Sequence, residues 1–284
     1  VDPRWLHHTS RSEAESSALS VQWLGTAGFR IVCGGHHIWL DPHLSRHTPW
    51  QLLSGRITPD AERIHQDVDV CHAIAVGHSH FDHAVDTPYI AKHHGARVYG
   101  SESTLNLCRG HDVREDHLIR FTPGEAYDEG PFTLRGIPSQ HSKFAVGRVP
   151  LPGRILTPLR QPARMQAYRV GDVYGLHLDC AHGSIYHIGS ADLVEAELTG
   201  VQADVVLCCT VGRQATENFT HRVLDALRPK VVIPCHWEQF WRSLDAPTKQ
   251  IPSNDLRGFL DDVRSHPSAP EVRVLPTRGW TALA

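Results

Sequence analysis

Apolar residues gather in short runs punctuated by glycine, proline and polar residues, the pattern of strands closed by turns. Val21-Gln22-Trp23-Leu24 and Phe29-Arg30-Ile31-Val32-Cys33 read as two strands joined across Gly25 and Gly28. Gly34-Gly35 then predicts a tight hairpin into His36-His37-Ile38-Trp39-Leu40, because glycine tolerates the positive φ such turns need. Asp41-Pro42 ends that strand. Further strands are predicted at 73–76, 97–100, 118–121, 132–137, 168–170, 174–178, 184–188, 205–209, 231–234 and 272–275, the last being the C-terminal strand. Helices are predicted over 11–18, 59–65 and 86–92, from an N-cap at Ser101 through Cys108, from about Leu193, and over 220–227 and 256–264. Two halves, each of strands followed by helix, are what an α/β sandwich of the αββα type needs: two mixed sheets face to face with helices outside. The polar, Ser-rich residues 1–18 read as an N-terminal arm, and 19–284 as one domain.

Two segments break the pattern. Residues 43–66 hold Pro49, Trp50 and Pro59 and read as a loop with one short helix. Residues 144–167 carry Arg148, Arg154, Arg160 and Arg164 among Pro150, Pro152, Pro158 and Pro162. The prolines forbid a regular helix or central strand, so this is a long loop, and long loops in compact domains are usually functional. Its arginines match phosphate and carboxylate geometry. The segment is therefore either a guard over a cleft for an anionic substrate or a solvated surface excursion.

Composition removes several classes. A formal net charge of -3 gives no global drive toward nucleic acid or an anionic membrane. Seven cysteines, odd in number and without a C-x-x-C pair, fall partly in apolar runs, so buried free thiols and a reducing cytoplasm are expected rather than a disulfide framework. No run approaches the roughly 18 apolar residues of a membrane span. The first residue is Val1, which leaves a removed N-terminal segment open, and nothing sets the oligomeric state.

The stretch with chemistry is Gly77-His78-Ser79-His80-Phe81-Asp82-His83, directly after the run Ala73-Ile74-Ala75-Val76. In an extended segment residues two apart point the same way, so His78 and His80 can reach one ion. If the chain then turns into a helix, Asp82 and His83 are carried past it toward a second. Nitrogen-rich ligation with one carboxylate suits zinc better than magnesium or calcium. Histidine is abundant, 22 in 284 residues, and pairs such as His7-His8, His36-His37 and His93-His94 read as surface noise.

At these residues the sequence resembles the metallo-β-lactamase superfamily, whose signature is H-x-H-x-D-H. The resemblance runs from about Val21 to the C-terminal strand through Trp23-Leu24-Gly25-Thr26-Ala27-Gly28-Phe29, Leu40-Asp41-Pro42, Pro138-Ser139-Gln140-His141-Ser142, Gly189-Ser190-Ala191-Asp192 and Val232-Ile233-Pro234-Cys235-His236-Trp237. Within the superfamily it is most similar to the branch of L-ascorbate-6-phosphate lactonase and N-acylphosphatidylethanolamine phospholipase D. The resemblance implies that His78, His80 and His141 hold a first zinc and Asp82, His83 and His236 a second, and that a carboxylate from the 189–192 turn bridges them. It also implies that Asp41 supports the centre from behind. The usual turn in that branch is Gly-Asp, and the residue in register here is Ser190. Asp192, two positions on, either reaches the metals or caps the helix expected near Leu193. Flavo-diiron relatives carry Glu at the second ligand position; His80 stands here, which favours zinc hydrolysis, although manganese or iron(II) fit the same donors.

The implied activity is hydrolysis by a hydroxide shared between two zinc ions, with His78, His80 and Asp82 central, acting on a small lactone or phosphoester. A metal-dependent nuclease and a metal-binding protein without turnover are the alternatives. The nuclease would want a basic surface or clamp domain, and neither is evident, so no nucleic-acid partner is expected. Trp50, Arg213, Trp237 and Glu238 are candidates for shaping the pocket, with packing or solvation the plainer reading for each.

Overall fold

Burial on both faces is the feature that builds the first sheet. In the computed structural model, which describes residues 5–7, 9–144 and 147–283, the strands β1 (Leu19–Gly25), β2 (Gly28–Cys33), β3 (His36–Leu40), β4 (Ala73–Ala75), β5 (Arg97–Gly100) and β6 (Leu118–Arg120) come from the first half of the chain. The second half supplies β7 (Tyr127–Glu129), β8 (Phe132–Pro138), β9 (Tyr174–Cys180), β10 (Gly183–Ile188), β11 (Val205–Cys209), β12 (Val231–Cys235) and β13 (Glu271–Val272), after which β14 (Trp280–Ala282) returns to the first sheet. The sheets run β14-β1-β2-β3-β4-β5-β6 and β13-β12-β11-β10-β9-β8-β7. Each is antiparallel in its hairpin part and parallel beyond, in the first sheet from β3 through β6 and in the second from β10 through β13. This is the mixed two-sheet α/β sandwich expected.

Side chains sort by parity. Ile38, Leu40, Ala73, Ala75 and Tyr99 enter the core between the sheets, whereas Trp39, Ile74, Val76 and Val98 join a second core under the helices on the outer face. That outer core is completed by Ile64 of α3 (Ala61–Asp67), Ile90 of α5 (Thr87–His94) and Leu105 and Leu107 of α6 (Glu102–Arg109). The second sheet is covered by α7 (Phe219–Leu227) and α8 (Leu256–Ser265), whose Leu224, Leu227, Phe259 and Leu260 are buried. A buried carboxylate ties the two sheets together: Glu129 of β7 accepts from Tyr99 Oη at 2.8 Å and Arg97 at 2.8 Å and faces His36 Nε2 at 3.1 Å. His36, read as surface from its pairing, is thus part of a fixed contact, and His8 lies outside the described residues.

Gly34 and Gly35 both have positive φ, and Cys33 pairs with His36, so the two-residue hairpin forms as expected. Ser101 caps α6 through Thr104 N. Several elements differ. Residues 168–170 form no strand, because their backbone is spent on loops: Ser79 N donates to Val170 O, Ser79 Oγ to Arg169 O, and Val170 N to Leu151 O. No helix starts at Leu193; only a 3-10 turn, Glu195–Leu198, follows. The last strand is β14 rather than 272–275, of which Val272 alone lies in a strand, β13. A helix α2 (Pro49–Ser54) appears where a loop was expected. In the Arg-rich segment, of which residues 145 and 146 lie outside the described set, the only helical piece among the described residues is the 3-10 turn Met165–Ala167.

Candidate metal centre

Strand direction gathers the functional loops at one end of the sandwich. The segments after β3, β4, β8, β10 and β12 leave the carboxyl ends of strands that run the same way within each sheet, the place where open α/β sheets bind ligands. After β4 the chain stays extended through His80 (φ -61, ψ 154) and then turns into the single helical turn α4 (Phe81–Ala84). His78 and His80 therefore share a face while Asp82 and His83 are carried onward, the geometry the spacing predicts. β8 delivers His141. β12 delivers His236, held at φ 58 with its N–H on Thr26 O at 2.7 Å.

Two groups of donor atoms result. His78, His80 and His141 form one, and Asp82, His83 and His236 the other, with the donors of each group within 4.8 Å of one another. His78 Nε2 and His80 Nδ1 lie 3.1 Å apart, and His236 Nε2 is 3.2 Å from Asp82 Oδ2. Donors about 2.0–2.1 Å from a tetrahedral zinc are roughly 3.3 Å from each other, so these separations fit a common cation.

Ring orientation is set from behind. His80 Nε2–H donates to Pro150 O at 3.0 Å, which leaves Nδ1 bare toward its group; His141 Nδ1–H donates to Ser142 O at 2.8 Å, which leaves Nε2. His83 Nδ1–H donates to Asp41 Oδ2 at 2.7 Å, leaving Nε2. Asp41, fully buried, also accepts from Gly77 N at 2.7 Å and from His187 Nε2 at 3.0 Å. A Cβ on Gly189 would come 2.7 Å from Asp41 Oδ2, so the chain passes this carboxylate only as glycine.

Charge follows burial and partners. Burial pushes His78 well below its ordinary value, His80 down to about 4 and His141 to about 3, so all three are neutral donors near pH 7. Burial also works to raise Asp41 and Asp82, but neighbouring imidazoles win. His83 and His187 hold Asp41 at about 2, and His83 and His236 hold Asp82 far below the usual carboxylate range. His83 is raised by Asp41 and Asp82 in spite of its burial.

Through His80 and His141 of the first group and Asp82, His83 and His236 of the second, both open into a cleft of about 540 Å³ lined also by Phe81, Ser142, Phe144, Pro150, Leu151, Met165, Gly189, Ser190, Val211, Phe240, Trp241, Ile251 and Ser253. Ser190 faces the cleft, its Oγ accepting from Ser142 N at 3.1 Å. Asp192 stands apart from both groups: its Oδ1 accepts from Leu193 N at 2.9 Å and lies 3.8 Å from Arg222 Nη1. The Arg-rich loop borders the cleft, but through Pro150, Leu151 and Met165; Arg154 pairs with Asp172 and Arg160 points toward Asp112, both on the outer surface. Trp50, 75 % exposed on α2, is not on the cleft, and Arg213 pairs with Asp255 and Asp262. Trp237 packs on Trp23 at 5.0 Å, and Glu238 is a buried partner of Arg46 that accepts Thr26 N–H. His187, Phe240 and Trp241 were missed. For His187 the signal was a single imidazole inside the apolar run of β10, which a buried strand keeps only with a partner.

The profile of the beta-lactamase superfamily domain matches residues 20–236. A UPF0173 metal-dependent hydrolase of Myxococcus xanthus is 35 % identical over 257 residues, covering 89 % of this chain and 80 % of its own length. Another, from Methylobacterium nodulans, is 25 % identical over 230 residues, covering 78 % and 86 %. Among solved structures, Igni18, a metallo hydrolase from the archaeon Ignicoccus hospitalis, matches with a TM-score of 0.61 at 18 % identity over 93 % of this chain and 97 % of its own, a likeness of fold. No helix among the described residues is long and apolar enough to cross a membrane. Carrying the signature directly after β4 and sharing 35 % identity with a named member, the chain belongs to the beta-lactamase superfamily and, within it, to the UPF0173 metal-dependent hydrolases.

Proposed function

We propose that this hydrolase works with two divalent cations, zinc by preference, with His78, His80 and His141 holding one and Asp82, His83 and His236 the other. The observation that supports it best is that six donors from three separate loops gather in two groups beside one cleft, and that three of them, on His80, His83 and His141, have their lone pairs freed by bonds on the far side of the ring. Five nitrogens and one carboxylate suit zinc, with manganese or iron(II) the next fits. A cation pair so held supplies Lewis acidity toward a carbonyl or phosphoryl oxygen and a water of lowered pKa. The chain's own residues bind and orient. Asp41 keeps the proton of His83 on Nδ1, Pro150 O keeps that of His80 on Nε2, and burial keeps His78, His80 and His141 free of competing protons. Asp192, engaged with Leu193 and Arg222, is left out of this ligand set.

The substrate in this reading is a small lactone or phosphoester, and the stretches from Trp23 to Phe29 and from Lys230 to Trp237 support a place beside the lactonase and phospholipase D branch. Seven free thiols fit a reducing compartment. Metal analysis of protein purified without chelator should give close to two zinc ions per chain. His78→Ala and Asp82→Ala should abolish turnover of a lactone and phosphodiester panel while the circular dichroism of the fold persists. One ion per chain after zinc reconstitution, or activity retained in either variant, would refute the reading.

A further inference from the structure

Phe240 is the centre of an apolar wall. It meets the His236 ring edge-on at 5.6 Å, Phe81 at 6.3 Å and Trp241 at 5.1 Å, and Ile251 and Met165 line the same cleft. Among the described residues, the polar groups on the lining apart from the proposed ligands are the hydroxyls of Ser142, Ser190 and Ser253 and the indole N–H of Trp241. No lysine or arginine is among the described residues that line it. Of the arginines in the loop that borders the cleft, Arg154 turns to Asp172 and Arg160 toward Asp112, with 63 % and 79 % of their side chains exposed, and Arg148 and Arg164 are exposed and off the lining.

Two consequences follow from desolvation. The cations proposed above would receive an anion at the reacting group, but an anionic body seated on this wall would give up its hydration with no cationic side chain to receive it, whereas an apolar body leaves water favourably in proportion to the area it buries. A volume of about 540 Å³ lies within the range of pockets that enclose a drug-sized molecule. Resting on the hydrolase reading above, we propose that the substrate is an uncharged carboxylic ester or lactone with an acyl-chain or aromatic body seated against Phe240, Trp241 and Ile251. Water adds through its oxygen to the carbonyl carbon and the acyl C–O bond breaks. The alcohol oxygen, or in a lactone the ring oxygen, keeps one proton of that water, and the other leaves to solvent from the acid.

Two measurements test this. With zinc-loaded protein, kcat/KM for 4-nitrophenyl esters from acetate to decanoate should rise by up to about fourfold per methylene, the transfer free energy of one CH₂ group expressed as a rate ratio. A 4-nitrophenyl ester of the same length whose acyl chain ends in a carboxylate should be cleaved far more slowly than its neutral counterpart. Calorimetry of unbranched methyl ketones on the metal-free protein should show affinity rising with chain length. Trp241→Ala and, as a second variant, Phe240→Ala should flatten both series, and Arg154→Ala should leave both unchanged. Flat series, or equal rates for the neutral and the carboxylate-ended ester, would overturn the inference and leave the hydrolase reading standing. Ketone binding that grows with chain length, without hydrolysis of any ester or lactone, would overturn the assignment of an ester or lactone substrate and, where the phosphodiester panel is not cleaved either, the hydrolase reading with it.

Discussion

Replacing Asp41 by Asn keeps size and shape and changes only which protons the buried side chain can accept. In the native chain Oδ1 takes the Gly77 N–H at 2.7 Å, while Oδ2 takes His83 Nδ1–H at 2.7 Å and His187 Nε2–H at 3.0 Å. An amide has one oxygen for these three donors. If its NH₂ faces the imidazoles, His83 must bare Nδ1 and carry its proton on Nε2, the atom proposed to face the second cation. If the NH₂ faces Gly77 instead, two N–H groups oppose each other in a site with no room for water. Losing the carboxylate behind a ligating imidazole typically lowers metal affinity roughly 10- to 100-fold, or about 1.4–2.7 kcal/mol. The loss should fall on the cation held by Asp82, His83 and His236, because His78, His80 and His141 make no bond to Asp41. Competition titration of the metal-free variant against a chromophoric zinc chelator measures both steps, and its circular dichroism checks the fold. Two unchanged affinities would refute the tautomer argument. Equal loss at both steps would show that Asp41 acts by anchoring the signature loop at Gly77.

Two further outcomes are expected. Between about pH 6.5 and pH 4 the unfolded chain binds protons at His78, His80 and His141 that the folded, metal-free protein refuses. Its stability therefore rises with pH across that window, so its melting temperature should fall steadily on acidification from pH 6.5 to 4; His83, raised rather than lowered, acts in the opposite sense and only above pH 6.5. A flat profile would show that these imidazoles are not buried together as neutral groups. Asp192→Asn should leave zinc stoichiometry and affinity as they were and cost at most about 1 kcal/mol of metal-free stability through its loose pair with Arg222. A loss of affinity at the second step, like that expected of Asp41→Asn, would make Asp192 a ligand.

What the chain reveals in one dimension depends on whether a residue's partner is local. His78, His80, Asp82 and His83 were legible because a strand followed by a helical turn spaces them, and α6 because Ser101 caps it three residues on. α2 was equally local: Thr48 with Gln51 is a capping box around Pro49, and the prolines of the segment masked it. Asp192 shares a face with Ser190 only where the chain past Ile188 is extended. In fact Asp192 N bonds to Ser190 O at 2.8 Å, so the backbone turns between the two and the shared-face argument lapses. The Arg-rich loop shows the other limit. Its composition announces arginine, but which side chains face inward is decided by the bonds of Val170 to Leu151 and of His80 to Pro150, and those turn the apolar residues to the cleft and the guanidinium groups to solvent. His187 lies beyond either kind of reading, since its meaning is an oxygen of Asp41 reached across the gap between sheets and shared with His83. Only the packed sandwich brings one carboxylate from the first sheet between an imidazole of the signature loop and an imidazole of the second sheet, and that contact makes the ligand-bearing ends of the two sheets a single site.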